Sequence, residues 1–178
     1  MRTSSAALFS SACILTGAAL LWAKEDPPLA VVPHVDLTRY QGKWYEIARL
    51  PFRFEKDCAG DVTAQYERKP DGSIEVVNTC RKEDGSLKRS KGTAQLRDKS
   101  GPNSQLKVTF FWPFSGDYWI LDLNEEYRWA LVGAPNRKYL WVLSRTPQLP
   151  AHIYEQLLSK ARTLGFDAAK MTRTRQSA

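Results

Sequence analysis

Histidine is scarce in this chain, and its scarcity argues against metal and hydrolytic chemistry. Only two histidines occur, His34 and His152, and neither lies near a cysteine or carboxylate at the spacing of metal ligands. The sequence also lacks a Gly-x-Ser-x-Gly elbow, a phosphate-binding glycine loop and a dinucleotide fingerprint. We therefore expect a protein that is not an enzyme, with no catalytic residues, no metal and no cofactor.

The amino-terminal segment has the layout of a secretory signal peptide. An apolar run from Ala6 to Ala23 follows Met1-Arg2-Thr3 and ends abruptly at Lys24-Glu25-Asp26. This pattern predicts a signal peptide over residues 1–23, cleaved after Ala23, and therefore export to the periplasm or the outer membrane. A permanent membrane anchor is the alternative, although serine, threonine and glycine dilute the hydrophobicity of the run.

Cysteine is also rare, with only three residues in the sequence. Cys13 lies inside the apolar run, and lipid attachment there is a second alternative to simple cleavage. Its context differs from a lipoprotein box because the mostly apolar stretch Ile14 to Ala23 follows it. Cys58 and Cys80 then remain as an even pair in an exported chain, which predicts a disulfide; two reduced, buried cysteines are the alternative.

Long stretches of one charge are absent, although the formal net charge is +7. Basic residues alternate with acidic ones, as in Arg81-Lys82-Glu83-Asp84, so no basic stripe predicts nucleic-acid binding. The excess of positive charge fits solubility, or attraction to an anionic membrane surface through the tail from Lys170 to Arg175. The sequence does not distinguish a monomer from a homodimer.

Short segments rich in β-branched and aromatic residues recur from Lys43 onward, and turn residues separate them. Eight strands are predicted: Trp44 to Arg49, Val62 to Arg68, Ser73 to Cys80, Leu87 to Leu96, Leu106 to Trp112, Tyr118 to Leu123, Trp129 to Val132, and Tyr139 to Ser144. Tight turns between successive strands indicate an antiparallel meander. Closing that sheet into a barrel removes both edges, and an open sandwich is the competing arrangement.

One helix is predicted after the last strand. Ile153, Leu157, Leu158, Ala161 and Leu164 recur on one face, and Gly165 supplies a stop. A single helix cannot form a bundle, so its apolar face should pack outside the sheet, with 168–172 adding a short strand. The expected fold is all-β: an eight-stranded antiparallel up-and-down β-barrel with one C-terminal α-helix packed outside.

Aromatic residues concentrate in the second half of the chain, on predicted strands. Half of them should face the interior of the sheet, because side chains alternate along a strand. Composition alone favours ordinary core packing over contact with a ligand.

Three sequence blocks resemble the signatures of the lipocalin family. Tyr40 to Arg49, YQGKWYEIAR, is similar to the Gly-x-Trp-Tyr-Glu-Ile-Ala block that enters the first strand. Residues 125–132 and 139–147 resemble the second and third blocks, in the expected order. Within the family, the sequence is most similar to bacterial outer-membrane lipocalins and apolipoprotein D, through 110–114 and 143–147.

The resemblance implies structural roles for Gly42, Trp44 and Arg145, with Arg145 lying across the Trp44 indole at the barrel floor. It also implies a lipid ligand, such as a fatty acid or lysophospholipid. Side-chain alternation and the family pattern then predict an inward-facing, ligand-binding set: Glu46, Ala48, Val108, Phe110, Trp112, Tyr118, Ile120, Tyr139, Trp141 and Leu143.

The sequence therefore divides into a signal peptide (1–23), an N-terminal extension (24–34), a lipocalin barrel with its C-terminal helix (35–173) and a basic tail (174–178). The predicted function is binding, storage or transport of lipids in the cell envelope, with membrane maintenance as one purpose. A lipid-modifying enzyme on the same barrel, or an interaction module without its own ligand, is the alternative.

Overall fold

A computed structural model describes residues 27–51 and 53–177, without the side chain of Phe54. The predicted signal peptide and Cys13 lie outside the described residues. Within the described part of the chain, no helix has both the length and the apolar character needed to cross a membrane.

Eight antiparallel strands form the body of the molecule, as the sequence predicts. They are β1 Gly42–Arg49, β2 Gly60–Arg68, β3 Ile74–Arg81, β4 Leu87–Leu96, β5 Gln105–Phe111, β6 Phe114–Leu123, β7 Trp129–Gly133 and β8 Leu140–Ser144. A one-turn helix α1, Leu37–Tyr40, precedes β1, a 3-10 turn, Arg53–Glu55, follows it, and helix α2, Ala151–Thr163, follows β8. A second 3-10 turn, Ala168–Lys170, leads into a short ninth strand, β9, Thr172–Arg173.

The sheet closes because β1 pairs on both sides. Each strand from β2 to β8 pairs with the next, and β1 joins the two ends of this meander. Trp44 is opposite Ala64 of β2, and Tyr45 is opposite Ser144 of β8. The closed antiparallel barrel is confirmed, and the open sandwich is excluded.

The β5–β6 hairpin is tighter than predicted. We expected β6 to begin at Tyr118, because Pro113, Ser115 and Gly116 are typical of a loop. Instead the chain reverses at Trp112–Pro113, and Phe114 pairs at once with Phe111. Cross-strand pairing on both sides of the turn thus prevails over the turn-forming character of the residues.

Two apolar clusters lie on opposite faces of the sheet, because side chains alternate along each strand. Inside the barrel, Trp44, Ile120 and Val132 belong to one cluster. Outside it, Leu121 and Leu131 belong to the other. Helix α2 covers this outer cluster with its buried residues, Tyr154, Leu157, Leu158 and Ala161.

Helix α2 ends where its sequence predicts. Pro150 immediately precedes the first turn, and Gly165, with φ of +84°, allows the chain to leave the helix after Leu164. The backbone N–H of Phe166 donates to the carbonyl of Ala161, 3.0 Å away. Phe166 then packs into the outer cluster, which fixes the helix against the barrel.

The floor of the barrel is built around Trp44 and Arg145. The guanidinium carbon of Arg145 lies 3.9 Å from the centre of the Trp44 ring. Arg145 also donates to the carbonyls of Arg39 and Lys43, at 2.7 and 3.0 Å. A side chain at Gly42 would have its Cβ 3.3 Å from Arg145 Nη1 and would strain a backbone with φ of +92°.

At the opposite end, the C-terminal segment fills a gap between β1 and β2. These two strands pair only from Gly42 to Tyr45 of β1. Beyond that point the N–H of Thr174 donates to the carbonyl of Ile47, and the N–H of Asp61 donates to the carbonyl of Arg175. A short strand follows the helix, but later than the predicted 168–172: Ala168–Lys170 forms a 3-10 turn, and β9, Thr172–Arg173, pairs with Ala48 and Arg49. The segment predicted as a basic tail thus forms part of the barrel wall up to residue 177.

The predicted disulfide is confirmed. Cys58 and Cys80 are joined, with Cα atoms 5.6 Å apart and 22 residues of sequence separation. The bond links the loop after β1 to the end of β3, so it holds that loop over the open end of the barrel.

We expect the double variant Cys58→Ser/Cys80→Ser to lower the free energy of unfolding by about 3 kcal/mol, because the crosslink restricts the unfolded chain. Urea unfolding followed by circular dichroism measures this loss. The reduced wild type provides the control and should match the double variant. An unchanged unfolding midpoint in both would contradict the stabilising role.

Candidate functional site

A cavity of about 390 Å³ occupies the barrel interior. Its volume lies within the range of small-ligand pockets. The floor at Trp44 and Arg145 closes one end. The other end opens between the loop after β1, which includes Glu55 and Cys58, and the rim residues Lys88 and Phe114.

Seven of the ten residues predicted to bind ligand line this cavity. They are Glu46, Val108, Phe110, Tyr118, Tyr139, Trp141 and Leu143. They come from β1, β5, β6, β8 and the loop before β8, so the barrel brings together residues that are far apart in sequence. Their contact with a ligand stays a prediction.

Ala48 is placed wrongly by simple alternation along β1. A β-bulge between Glu46 and Ala48 shifts the pairing with β8. Ile47 and Ala48 therefore both belong to the outer cluster beneath α2, whereas Glu46 lines the cavity.

Trp112 and Ile120 also lie outside the cavity lining. Trp112 is 89% exposed, because β5 ends at Phe111 and Trp112 belongs to the following turn, where strand alternation no longer applies. Ile120 points inward as predicted, but it is fully buried below the cavity. Its carbonyl accepts from the N–H of Val32, so the N-terminal segment helps to fill this end of the barrel.

Aromatic side chains form much of the cavity wall. The rings of Tyr139 and Trp141 are stacked, with centroids 6.2 Å apart. Phe110 fits against Gly92 of the neighbouring strand: a Cβ on Gly92 would lie 2.8 Å from the Phe110 ring. Gly92 thus leaves the space in which Phe110 packs.

Three tyrosines form a polar group deep in the barrel. The Tyr118 hydroxyl lies 2.9 Å from the hydroxyls of both Tyr40 and Tyr66. Burial raises the pKa of all three above that of a free tyrosine, so they are uncharged at neutral pH. Two hydrogen bonds among three hydroxyls leave one O–H without an acceptor in the group. Because Tyr66 and Tyr118 line the cavity, this group borders the space that a ligand would occupy.

Two carboxyl groups share one arginine near the open end. Arg49 Nη1 lies 2.7 Å from Glu46 Oε1, and Arg49 Nε lies 2.9 Å from Glu55 Oε2. Thr174 of the C-terminal segment also donates to Glu46 Oε1. The buried Glu46 predicted from the sequence therefore has an arginine partner within its own strand.

The pKa of Glu55 is raised to about 8, mainly by burial and then by the negative charge of Glu46. The charge of Arg49 and a hydrogen bond from Trp141 act in the opposite direction and lower it. Glu55 is therefore largely protonated at neutral pH.

The sequence analysis missed the lining residues of β2, β3 and the loop after β1. In β2, Val62, Ala64 and Tyr66 line the cavity and are spaced two apart, so alternation could have found them. Asn78 of β3 faces the cavity without an apolar signal. Glu55 lies in a loop, where no periodicity exists to mark it.

Among the described residues, a closed antiparallel barrel encloses an apolar cavity and one long helix packs outside it. This architecture is typical of β-barrel proteins that bind small ligands. The family model described as "Lipocalin-like domain" matches residues 35–176. The chain belongs to the lipocalin family.

Curated relatives span most of the chain. It is 42% identical to the outer membrane lipoprotein Blc of Escherichia coli K12 over 147 residues, covering 81% of this chain and 82% of Blc. It is 39% identical to temperature-induced lipocalin-1 of Arabidopsis thaliana over 160 residues, 86% of each chain. Apolipoprotein D of Bos taurus is 33% identical over 158 residues, 84% and 80% of the two chains. The predicted resemblance to this part of the family is confirmed.

A solved structure supports the same fold. Insecticyanin from Manduca sexta superposes with a TM-score of 0.68, covering 85% of this chain and 86% of that one, at 21% identity.

We expect Trp141→Ala to weaken uptake of a fluorescent fatty acid by roughly tenfold, equivalent to about 1.4 kcal/mol. The indole forms part of the cavity wall, so its loss removes apolar contact with the bound chain. Fluorescence titration measures the affinity, and urea unfolding measures stability.

Trp129→Ala is the matched control. Trp129 packs against the outer cluster and does not line the cavity, so this variant should lose stability and keep its affinity. Equal affinity in wild type and Trp141→Ala would remove Trp141 from the binding site.

Proposed function

We propose that this lipocalin binds a single-chain lipid, such as a fatty acid or lysophospholipid, and stores or carries it in the cell envelope. Family membership supports the broader statement that the protein binds or transports a small hydrophobic ligand. The observation that carries the finer proposal is the apolar cavity, whose wall includes Val108, Phe110 and Leu143 and which opens at one end.

An acyl chain entering this cavity gains roughly 0.8 kcal/mol for each methylene it buries. The open end leaves the polar head near Glu55 and the rim, where charged groups and solvent are accessible. Binding and release need no chemical step, which fits a carrier and not an enzyme.

The proposed setting is outside the cytoplasm. The layout of residues 1–23, the Cys58–Cys80 disulfide and the names of the bacterial outer-membrane relatives support it. Membrane maintenance is the purpose we propose for lipid carriage there.

Native mass spectrometry of the purified protein, before and after organic extraction, tests this function. We expect one lipid-sized adduct per barrel before extraction, and its return when lysophospholipid or fatty acid is added to the extracted protein. A barrel that is empty as purified and that takes up neither lipid would contradict carriage.

An exposed aromatic tip favours a second property, contact with a membrane. Phe111, Trp112 and Phe114 of the β5–β6 hairpin are 67%, 89% and 78% exposed. Single exposed apolar residues are ordinary, but three together beside a ligand entrance are typical of an interaction site. Arg53 and Lys56, both exposed, lie in the loop at the same end and suit an anionic surface.

We expect the triple variant Phe111→Ser/Trp112→Ser/Phe114→Ser to lose most co-sedimentation with vesicles of phosphatidylglycerol and phosphatidylethanolamine. The tip supplies apolar area that can enter the headgroup region. Its matched control is Leu87→Ser, which removes an exposed apolar residue, 71% exposed, from the neighbouring hairpin. Equal sedimentation of wild type and triple variant would show that the tip does not bind membranes.

A further inference from the structure

Two buried acceptor atoms in the cavity wall receive no hydrogen bond from the part of the chain that the structure describes. Glu55 Oε2 and Asn78 Oδ1 are both inaccessible to solvent, and neither accepts a hydrogen bond from the described residues. Glu55 Oε2 lies within ion-pair distance of Arg49 Nε, yet the N–H of Arg49 is not directed at it. Leaving a buried acceptor unsatisfied costs about 1–3 kcal/mol. Asn78 Oδ1 therefore favours a ligand that supplies a donor, and so does Glu55 Oε2 when that carboxyl group is ionised.

The charges around Glu55 add a second restriction on the head group of a ligand. Glu46 and Glu55 present two carboxyl groups to the cavity, while Arg49 supplies the one cation within ion-pair distance of them among the described residues. When both carboxyl groups are ionised, this cluster carries one negative charge beside the ligand. An anionic head group is then repelled, and if it carries no O–H or N–H it supplies no donor to the two unsatisfied acceptors.

We propose that Glu55, together with Asn78, selects the ligand by its head group: the cavity takes single-chain amphiphiles whose head carries hydroxyl or ammonium donors, and it excludes anionic heads when Glu55 is ionised. This inference rests on the proposed lipid-binding function and narrows its ligand class. Glu55 acts as a specificity-determining residue and takes part in no reaction.

The neighbours of Glu55 decide how this selection varies with pH. Glu46 and Arg49 of β1 and Trp141 of β8 face it, and Thr174 of the C-terminal segment binds Glu46. Asp117 of β6 lines the same cavity. Two further cations lie at this end: Lys88, which pairs with Asp57, and Arg53, which has contacts of its own.

The pKa of Glu55, about 8, places its ionisation within the range where the folded protein can be studied. The protonated fraction falls about tenfold between pH 7 and pH 9, so the affinity for an anion that requires protonated Glu55 falls by the same factor.

Three amphiphiles with the same dodecyl-length chain test the inference: dodecyl sulfate, monododecanoylglycerol and dodecylammonium. Each keeps its charge between pH 7 and pH 9, and each is titrated below its critical micelle concentration against a neutral fluorescent probe, N-phenylnaphthylamine. In the wild type, dodecyl sulfate should bind about tenfold more weakly at pH 9 than at pH 7. Monododecanoylglycerol should be unaffected by pH, and dodecylammonium should bind more tightly at pH 9.

Glu55→Gln should abolish the pH dependence for dodecyl sulfate and dodecylammonium, because the side chain at this position then no longer ionises. Asp57→Asn is the matched control, because it removes a carboxylate of the same loop that does not line the cavity. It should retain the wild-type pH dependence. Thermal unfolding at both pH values checks that each variant is folded.

The outcomes separate this inference from the proposed function. If monododecanoylglycerol binds while dodecyl sulfate binds equally well at pH 7 and pH 9, the protein is a carrier and the selection by Glu55 is wrong. The same conclusion follows if Glu55→Gln retains the wild-type pH dependence. If none of the three amphiphiles binds at either pH, both the inference and the lipid-binding function are overturned.

Discussion

β1 pairs with β2 over Gly42 to Tyr45 and with β8 over Tyr45 to Arg49, and this divided pairing determines the shape of the molecule. A sheet that closes on one strand has no free edge along the paired length, so its interior is sheltered from water. The same strand then supplies Trp44 to the floor and Glu46 to the cavity. The floor, the cavity and the closure of the sheet therefore all depend on the eight residues of β1.

The bulge in β1 lets this strand place side chains both inside the barrel and in the outer cluster. Before it, alternation directs Trp44 and Glu46 inward; after it, Ile47 and Ala48 both pack outward under α2. The outer cluster supports the barrel without using its interior. The cavity can therefore contain polar atoms without hydrogen bonds, such as Glu55 Oε2, because apolar packing in the outer cluster stabilises the fold.

The sequence predicts the strands well because alternation and turn residues are local signals. Alternation also predicts the inward-facing residues Val108 and Phe110 of β5 and Trp141 and Leu143 of β8. The disulfide follows instead from the even pair of cysteines, and the Gly-x-Trp block marks the floor. It fails at Ala48 because a bulge is a property of paired strands and not of one strand. It fails at Trp112 because β5 ends where its pairing with β6 ends, at Phe111, and the sequence of β5 alone does not show that point. Glu55 is absent from the predicted site because only the folded loop brings it next to Arg49.

The C-terminal segment has a consequence for the order in which the protein assembles. Thr174 binds Arg49 and Glu46 across sequence separations of 125 and 128 residues, and Gln176 reaches the carbonyl of Glu46 across 130. During synthesis, β1 emerges well before Thr174 and Gln176, which are its partners at the open end. The contacts that complete the wall between β1 and β2 at the open end can form only after residues 174–176 have been synthesised. Such distant contacts are slow to form, so we expect the wall at the open end to be completed late in folding, after the strands of the meander have paired.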